Sequence, residues 1–268
     1  RSSFSRGVEI AFPDRRHLMI SGTASIEPGG ASVCGGDVQA QIDLTMEVIR
    51  AILVARGVDY PDASRVTAYF KKAEDALRAA QAFGADAVLL VPCRIGGMKM
   101  PLPWEFLIDF DEKTGHIRTV APGDNAPYAA YIKAHNHATD TSREHVQRLL
   151  PLAEKCGVVI ALENVWNNLW VKPAHFKHFV ASFNSPWVKA YFDVGNMALY
   201  GFPQDWIRTL GKRIVKVHFK DFKTSVGTAA GFCDLLAGDV PWAEAMKAFR
   251  EVGYDGPCTA EMMPWDPT

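Results

Sequence analysis

From Val158 onward the chain repeats one construction four times: a short apolar run that ends in a side chain able to bind a metal. VVIAL runs into Glu163, VKAYF into Asp193, IVKV into His218 and CTA into Glu261. Helical stretches starting near Pro173 and lying around Trp206 and Met246 separate these runs. Short apolar strands alternating with amphipathic helices specify parallel βαβ units, whose strands are covered on both faces. In a barrel of such units the C-terminal strand ends meet at one mouth. Four strands then deliver three carboxylates and one imidazole to one small volume. A charge at a buried strand end is costly unless it is paired or metal-bound. One such residue is more often a loop cap or an ion-pair partner; four at the same place in successive units are harder to explain that way. The set suits Mn²⁺, Mg²⁺, Co²⁺ or Zn²⁺ and is too hard for copper(I).

The first third has a different rhythm. GVEIAF and HLMISGTAS flank Pro13–Arg16 and predict an antiparallel hairpin between Gly7 and Ala24. A loop containing Gly29, Gly30, Gly35 and Gly36 follows. Asp37 is placed to cap a helix with Ile42, Met46, Ile49 and Leu53 on its apolar face and Gly57 as its stop. SRVTAYFKK (64–72) reads as a third strand. EDALRAAQAFG then predicts a helix ending at Gly84, and DAVLLVPC a strand. EFLIDF and HIRTV form a second hairpin around Lys113-Thr114-Gly115. Thr141-x-x-Glu144 has the spacing of a capping box that opens a helix ending at Gly157. His135 and His137 precede that cap rather than end a strand, so structural or surface roles are expected of them.

The length of 268 residues suits one barrel-sized domain or two small ones. A formal net charge of −1 leaves no footprint for nucleic acid or an anionic membrane, and no apolar stretch is long enough to span a bilayer. Cys34, Cys93, Cys156, Cys233 and Cys258 are dispersed with no CxxC, which reads as reduced thiols in a cytoplasmic setting. The chain begins at Arg1 rather than Met, leaving open a removed targeting peptide.

ALENVWNNLW, AYFDVGN, VKVHFKDF and TAEMM together resemble strands five to eight of the xylose-isomerase-like TIM-barrel superfamily. That group includes sugar and sugar-phosphate 3-epimerases, hydroxypyruvate isomerase, inosose dehydratase and endonuclease-four-type enzymes. The resemblance runs from about Glu74 to the C-terminus. It implies an α/β, (β/α)8 TIM-barrel-like fold and one catalytic divalent metal, manganese foremost, on Glu163, Asp193, His218 and Glu261. It also implies isomerisation or epimerisation of a small keto-sugar or sugar phosphate. The chemistry is coherent: a metal polarising the ketone and its adjacent hydroxyl stabilises an enediolate. Glu163 and Glu261, on opposite faces of the sugar, remove and return the proton. Return to the same carbon inverts it; return to its neighbour interconverts ketose and aldose.

Neighbouring residues are open to more than one reading. Strand alternation puts Lys216 and Lys220 on the side of His218. Lys220 lies past the strand end and is expected to bind a phosphate or hydroxyl, or to be solvated. Asn164, Trp166 and Asn167 follow the first Glu; Trp166 either stacks on a sugar or fills the core. Asp221 either orients a ligand or caps a loop. Asn196 stands where epimerases of the superfamily commonly carry a histidine, and it binds hydroxyls without relaying a proton. That departure, and a segment 224–239 without histidine, argue against a trinuclear zinc phosphodiesterase.

Residues 4–75 instead resemble the first half of a RidA-type enamine/imine deaminase, through SGTASI and the helix pattern. The resemblance implies a ββαβ segment, residues 1–73, beside or completing a barrel portion of 74–268. The deaminase's catalytic arginine lies on a later strand with no counterpart here, and Arg65 does not replace it. The competing functional readings are a keto-inositol dehydratase on the same metal site and a non-catalytic fusion scaffold. The expected partner is a small sugar or sugar phosphate; open strand edges would be covered either by the N-terminal unit or by another copy of the chain, a homo-oligomer.

Overall fold

The computed structural model describes residues 7–20, 25, 31, 33–63 and 70–262. They fall into two compact units, Arg1–Val88 with Leu152–Val158, and Leu89–Pro151 with Val159–Thr268.

In the first unit β1 (Gly7–Ala11) and β2 (Arg16–Ile20) form the expected antiparallel hairpin, with Gly7 opposite Ile20 and Ala11 opposite Arg16. Helix α1 (Val38–Val54) is capped by Asp37, whose carboxylate accepts from Ala40 N at 3.0 Å. Ile42 and Leu53 bury its apolar face. Helix α2 (Ala73–Phe83) ends on Gly84 at φ 79°, a left-handed position that suits a residue without Cβ. Most of the expected strand 64–72 lies outside the described residues.

Next come β3 (Ala87–Leu90), the short hairpin β4 (Asp109–Phe110) and β5 (Ile117–Thr119), and α3 (Ala129–Cys156). β6 (Val159–Glu163), α4 (Pro173–Ala181), β7 (Val188–Asp193), the single turn α5 (Val194–Met197) and α6 (Pro203–Leu210) follow. β8 (Ile214–Phe219), β9 (Asp221–Phe222), β10 (Phe232–Cys233), α7 (Trp242–Glu251) and β11 (Cys258–Ala260) complete the order. The main sheet runs β11-β8-β7-β6-β3, and its β6/β7, β7/β8 and β8/β11 pairs are parallel. This is the TIM-barrel-like α/β arrangement, with the four expected strands adjacent and in chain order.

The core between sheet and helices is aromatic. Trp170, Phe176, Phe179, Phe192 and Trp206 are all at most 1% exposed, with ring centroids 4.8–6.5 Å apart. Such rings each remove a large apolar area from water and hold the strands from outside.

One expectation fails. Thr141 and Glu144 do not open a helix; they lie inside α3, which starts twelve residues earlier, and Glu144 pairs with Arg148 instead. The reason is a buried stripe at helical spacing, Tyr131, His135, Thr139, Ser142, Val146 and Leu149. Three of its members are polar, so a count of apolar residues alone misses the turns before Thr141. His135 is packed inside that stripe and His137 is exposed, in keeping with structural and surface roles.

Candidate metal centre

Each proposed ligand sits at the end of its strand. Glu163 closes β6 and Asp193 closes β7; His218 is the penultimate residue of β8 and Glu261 directly follows β11. Parallel register then does the rest, because Asp193 pairs directly with His218 and Glu163 with Tyr191. One donor atom from each of the four lies within 4.8 Å of the others. Ligand bonds of about 2.1 Å allow donors around one ion to stand up to roughly 4.2 Å apart, so the set closes on an ion with small side-chain shifts.

His218 turns Nδ1 toward the acids: 2.9 Å from Glu163 Oε1, 3.3 Å from Glu261 Oε2 and 3.8 Å from Asp193 Oδ2. Its ring packs on Tyr191 with centroids 4.3 Å apart. Asp193 is wholly buried; Oδ1 accepts from Asn196 N at 2.7 Å, whereas Oδ2 has no hydrogen-bond partner. Burial pushes its carboxyl well above the usual range, and Glu163 adds to this, against the pull of Lys220. Burial raises Glu261 as well, but Lys220 and His218 outweigh it and the net direction is down. Burial lowers the Lys220 ammonium, and Asp193, Glu261 and Glu163 together reverse the direction. A buried carboxylate oxygen that accepts no hydrogen bond, beside two more carboxylates and an imidazole, fits a divalent hard cation.

The neighbours resolve as follows. Asn164 locks β6 to β7, its Nδ2 donating to Asp193 O at 2.8 Å and its Oδ1 accepting from Asp193 N at 2.9 Å. Asn196 Nδ2 donates to Asn164 O at 3.1 Å. Trp166 donates its indole N–H to Asn196 O at 2.7 Å, and its ring lies 5.0 Å from that of Phe232. Asn167 Oδ1 accepts from Leu169 N at 3.1 Å and shapes the turn after β6. Lys220 Nζ lies 2.8 Å from Glu261 Oε2 and 3.6 Å from Asp193 Oδ2. Of the two readings of Asp221, the structure takes the loop cap. The carboxylate is fully buried and accepts from Phe222 N, Leu236 N, Val240 N and Trp242 Nε1.

Two residues at the site escaped sequence reasoning. Tyr191 is two residues before Asp193, so strand alternation carried a signal for it. Phe232, which opens the two-residue strand β10 against Phe222, carried none.

Comparison with known proteins bears on the fold and family. A family model described as Xylose isomerase-like TIM barrel matches residues 38–267. An L-ribulose-5-phosphate 3-epimerase from Escherichia coli O1:K1 is 27% identical over 139 residues, 52% of this chain and 47% of that protein. The chain thus spans about half the length of the epimerase relatives it matches. A RutC family protein from Pyrococcus horikoshii is 29% identical over 94 residues, 35% of this chain and 75% of that one, and bears on the RidA-like reading. Among solved structures, the IolI protein with a binding zinc atom superposes at TM-score 0.51 (16% identity, 70% of this chain, 58% of that one). A xylose isomerase domain protein from Planctomyces limnophilus does so at 0.50 (18% identity, 82% and 76%). With a family model that spans most of its length, the chain belongs to the Xylose isomerase-like TIM barrel family.

Proposed function

We propose that this protein is a divalent-metal-dependent isomerase or epimerase of a small keto-sugar or sugar phosphate. The observation that carries the reading is the meeting of Glu163, Asp193, His218 and Glu261 around one point, with Asp193 Oδ2 buried and accepting no hydrogen bond. These four would hold the ion, with manganese the first candidate. When bound, it would supply Lewis acidity to a ketone oxygen and the hydroxyl beside it.

The chain's own groups would do the rest. Glu163, 5% exposed, would take the proton from the carbon next to the ketone. Glu261, with its side chain 43% exposed, would return it from the other face. Lys220 would neutralise an anionic or hydroxyl oxygen of the substrate, and Trp166 would wall the sugar's apolar face. Asn164 and Asn196 would meet the substrate only through the amide capacity left over from the β6–β7 clip. Residues 1–73 are proposed as the RidA-like segment and 74–268 as the barrel portion.

The test is a solvent-exchange experiment. Protein reconstituted with Mn²⁺ and given ketopentoses and ketohexoses, free and phosphorylated, in D₂O should place deuterium on the carbon adjacent to the ketone. No exchange with any of them, despite stoichiometric metal, would overturn the reading. A dehydratase would instead release water from a keto-inositol.

A further inference from the structure

Among the described residues, the hydrogen-bond and ion-pair partners of His218 are Glu163, Glu261 and Asp193, and all three meet the same nitrogen, Nδ1. A histidine that binds a metal usually donates its other ring nitrogen to a carboxylate or a carbonyl, and that bond fixes the ring plane. The His218 ring has a platform instead. The Tyr191 ring lies against it, with centroids 4.3 Å apart and planes at 48°. The register puts Tyr191 beneath the site. It pairs with Glu163 on β6 and with Lys216 on β8, which makes it the diagonal neighbour of His218. It also stands two residues before Asp193, on the same face of β7. Its hydroxyl meets that of Thr259, the residue of β11 that pairs with His218 and precedes Glu261 by two. Tyr191 therefore reaches under the imidazole from the strand that carries Asp193 to the strand that carries Glu261. Burial raises its phenol, and the carboxylates of Glu163, Glu261 and Asp193 add to that, so the platform is an uncharged ring.

We infer that Tyr191 is the positioning residue for His218: its ring sets the plane of the imidazole and keeps Nδ1 turned to the three carboxylates. This rests on the metal-centre reading above and adds to it the group that orders its one nitrogen ligand. A side chain free to turn about χ1 and χ2 must give up that freedom when it binds an ion. One pinned on folding has already done so, and a ligand presented in its bound orientation binds more tightly. Packing thus does for His218 what a hydrogen bond at the second nitrogen does elsewhere. Leucine at 191 would keep an apolar side chain in the strand but offer no flat face, whereas phenylalanine would keep the face and lose only the hydroxyl.

The experiment is a titration of the chelator-stripped full chain with CoCl₂, followed by visible absorption, which reports affinity and ligand set together. Wild type, Tyr191→Phe and Tyr191→Leu are compared. Tyr191→Leu should weaken Co²⁺ binding about 10–100-fold, the usual worth of a group that orients a ligand. Its Co²⁺ absorption bands should also move, because the imidazole tilts or leaves. Tyr191→Phe should match wild type in both. Wild-type affinity and bands in Tyr191→Leu overturn the inference. So does an equal loss in Tyr191→Phe, which would make the hydroxyl rather than the ring responsible. Weaker binding by Tyr191→Leu with unmoved bands overturns it too, since a general loosening of the fold would do that. If Tyr191→Leu does not fold, Tyr191→Ile, β-branched and suited to a strand, carries the same test. A wild-type chain that binds no Co²⁺ overturns the metal-centre reading itself, whereas stoichiometric binding with indifferent Tyr191 variants overturns only the positioning role.

Discussion

His218 Nδ1 and Glu163 Oε1 lie 2.9 Å apart although 55 residues separate them in the chain. A carboxylate only accepts hydrogen bonds, so the imidazole donates, and its free tautomer is set by the acid. Substituting Glu163→Gln should retain the fold and lower turnover about 10²–10⁴-fold, the usual worth of one positioned proton-transfer group. Deuterium exchange from D₂O, measured alongside metal content, checks this. Activity near wild type would remove Glu163 from the proton pathway.

Asp193→Asn keeps an oxygen for Asn196 N but withdraws the charge that Oδ2 offers to an ion. Mn²⁺ affinity should fall by more than the roughly 10–100-fold expected of an outer-shell change. The same variant without metal should melt no lower than wild type, because a desolvated carboxylate has been neutralised. Calorimetric titration and a thermal scan read the two effects separately.

Asp221 satisfies four donors while fully buried, so Asp221→Ala strands all of them at once. The loss should be about 3–5 kcal/mol of unfolding free energy, measured by urea titration. A loss near zero would mean that water replaces the carboxylate and that the loop does not depend on it.

Gly195 and Gly238 abut the same segment. A Cβ at 195 would meet Lys220 O at 2.5 Å, and one at 238 would meet Asp221 Oδ1 at 2.2 Å. Gly195→Ala must displace backbone, at a cost of about 1–3 kcal/mol. It should also weaken Mn²⁺ binding, whereas an exposed control such as Gly97→Ala should leave that binding unchanged.

Acid sensitivity should come from a histidine pair away from the site. His135 Nε2 donates to Leu169 O (2.6 Å), His175 Nε2 donates to Gly115 O (2.8 Å), and their rings lie 5.1 Å apart, both 1% exposed. Burial depresses His135 to about 4 and His175 to about 3, the mutual repulsion adding to the second. Both folded values lie below the unfolded value of about 6.5, so the unfolded chain takes up protons first. Their contribution is intact above pH 6.5 and is lost as pH falls toward 4 and then 3. The urea midpoint of His135→Gln should therefore fall less steeply than that of wild type between pH 6.5 and 4. Parallel curves for the two proteins would refute the assignment.

The sequence by itself determined whatever is local and periodic. The apolar runs before Glu163, Asp193, His218 and Glu261 specify strands, and their parallel orientation carries each residue to the same end, so the convergence of these four side chains was legible without coordinates. The Asp37 cap and the Gly84 stop were legible for the same reason. Tertiary structure alone decided the rest. The N-terminal turns of α3 exist because His135, Thr139 and Ser142 find buried partners, which an apolar count does not register. Asp221 became a loop anchor because Leu236, Val240 and Trp242 fold back over it from up to 21 residues away. Phe232 came to face Lys220 through that same closure. Periodicity records which way a side chain points along its own element; which distant group it meets depends on the packing of many elements at once, and no local pattern stores that.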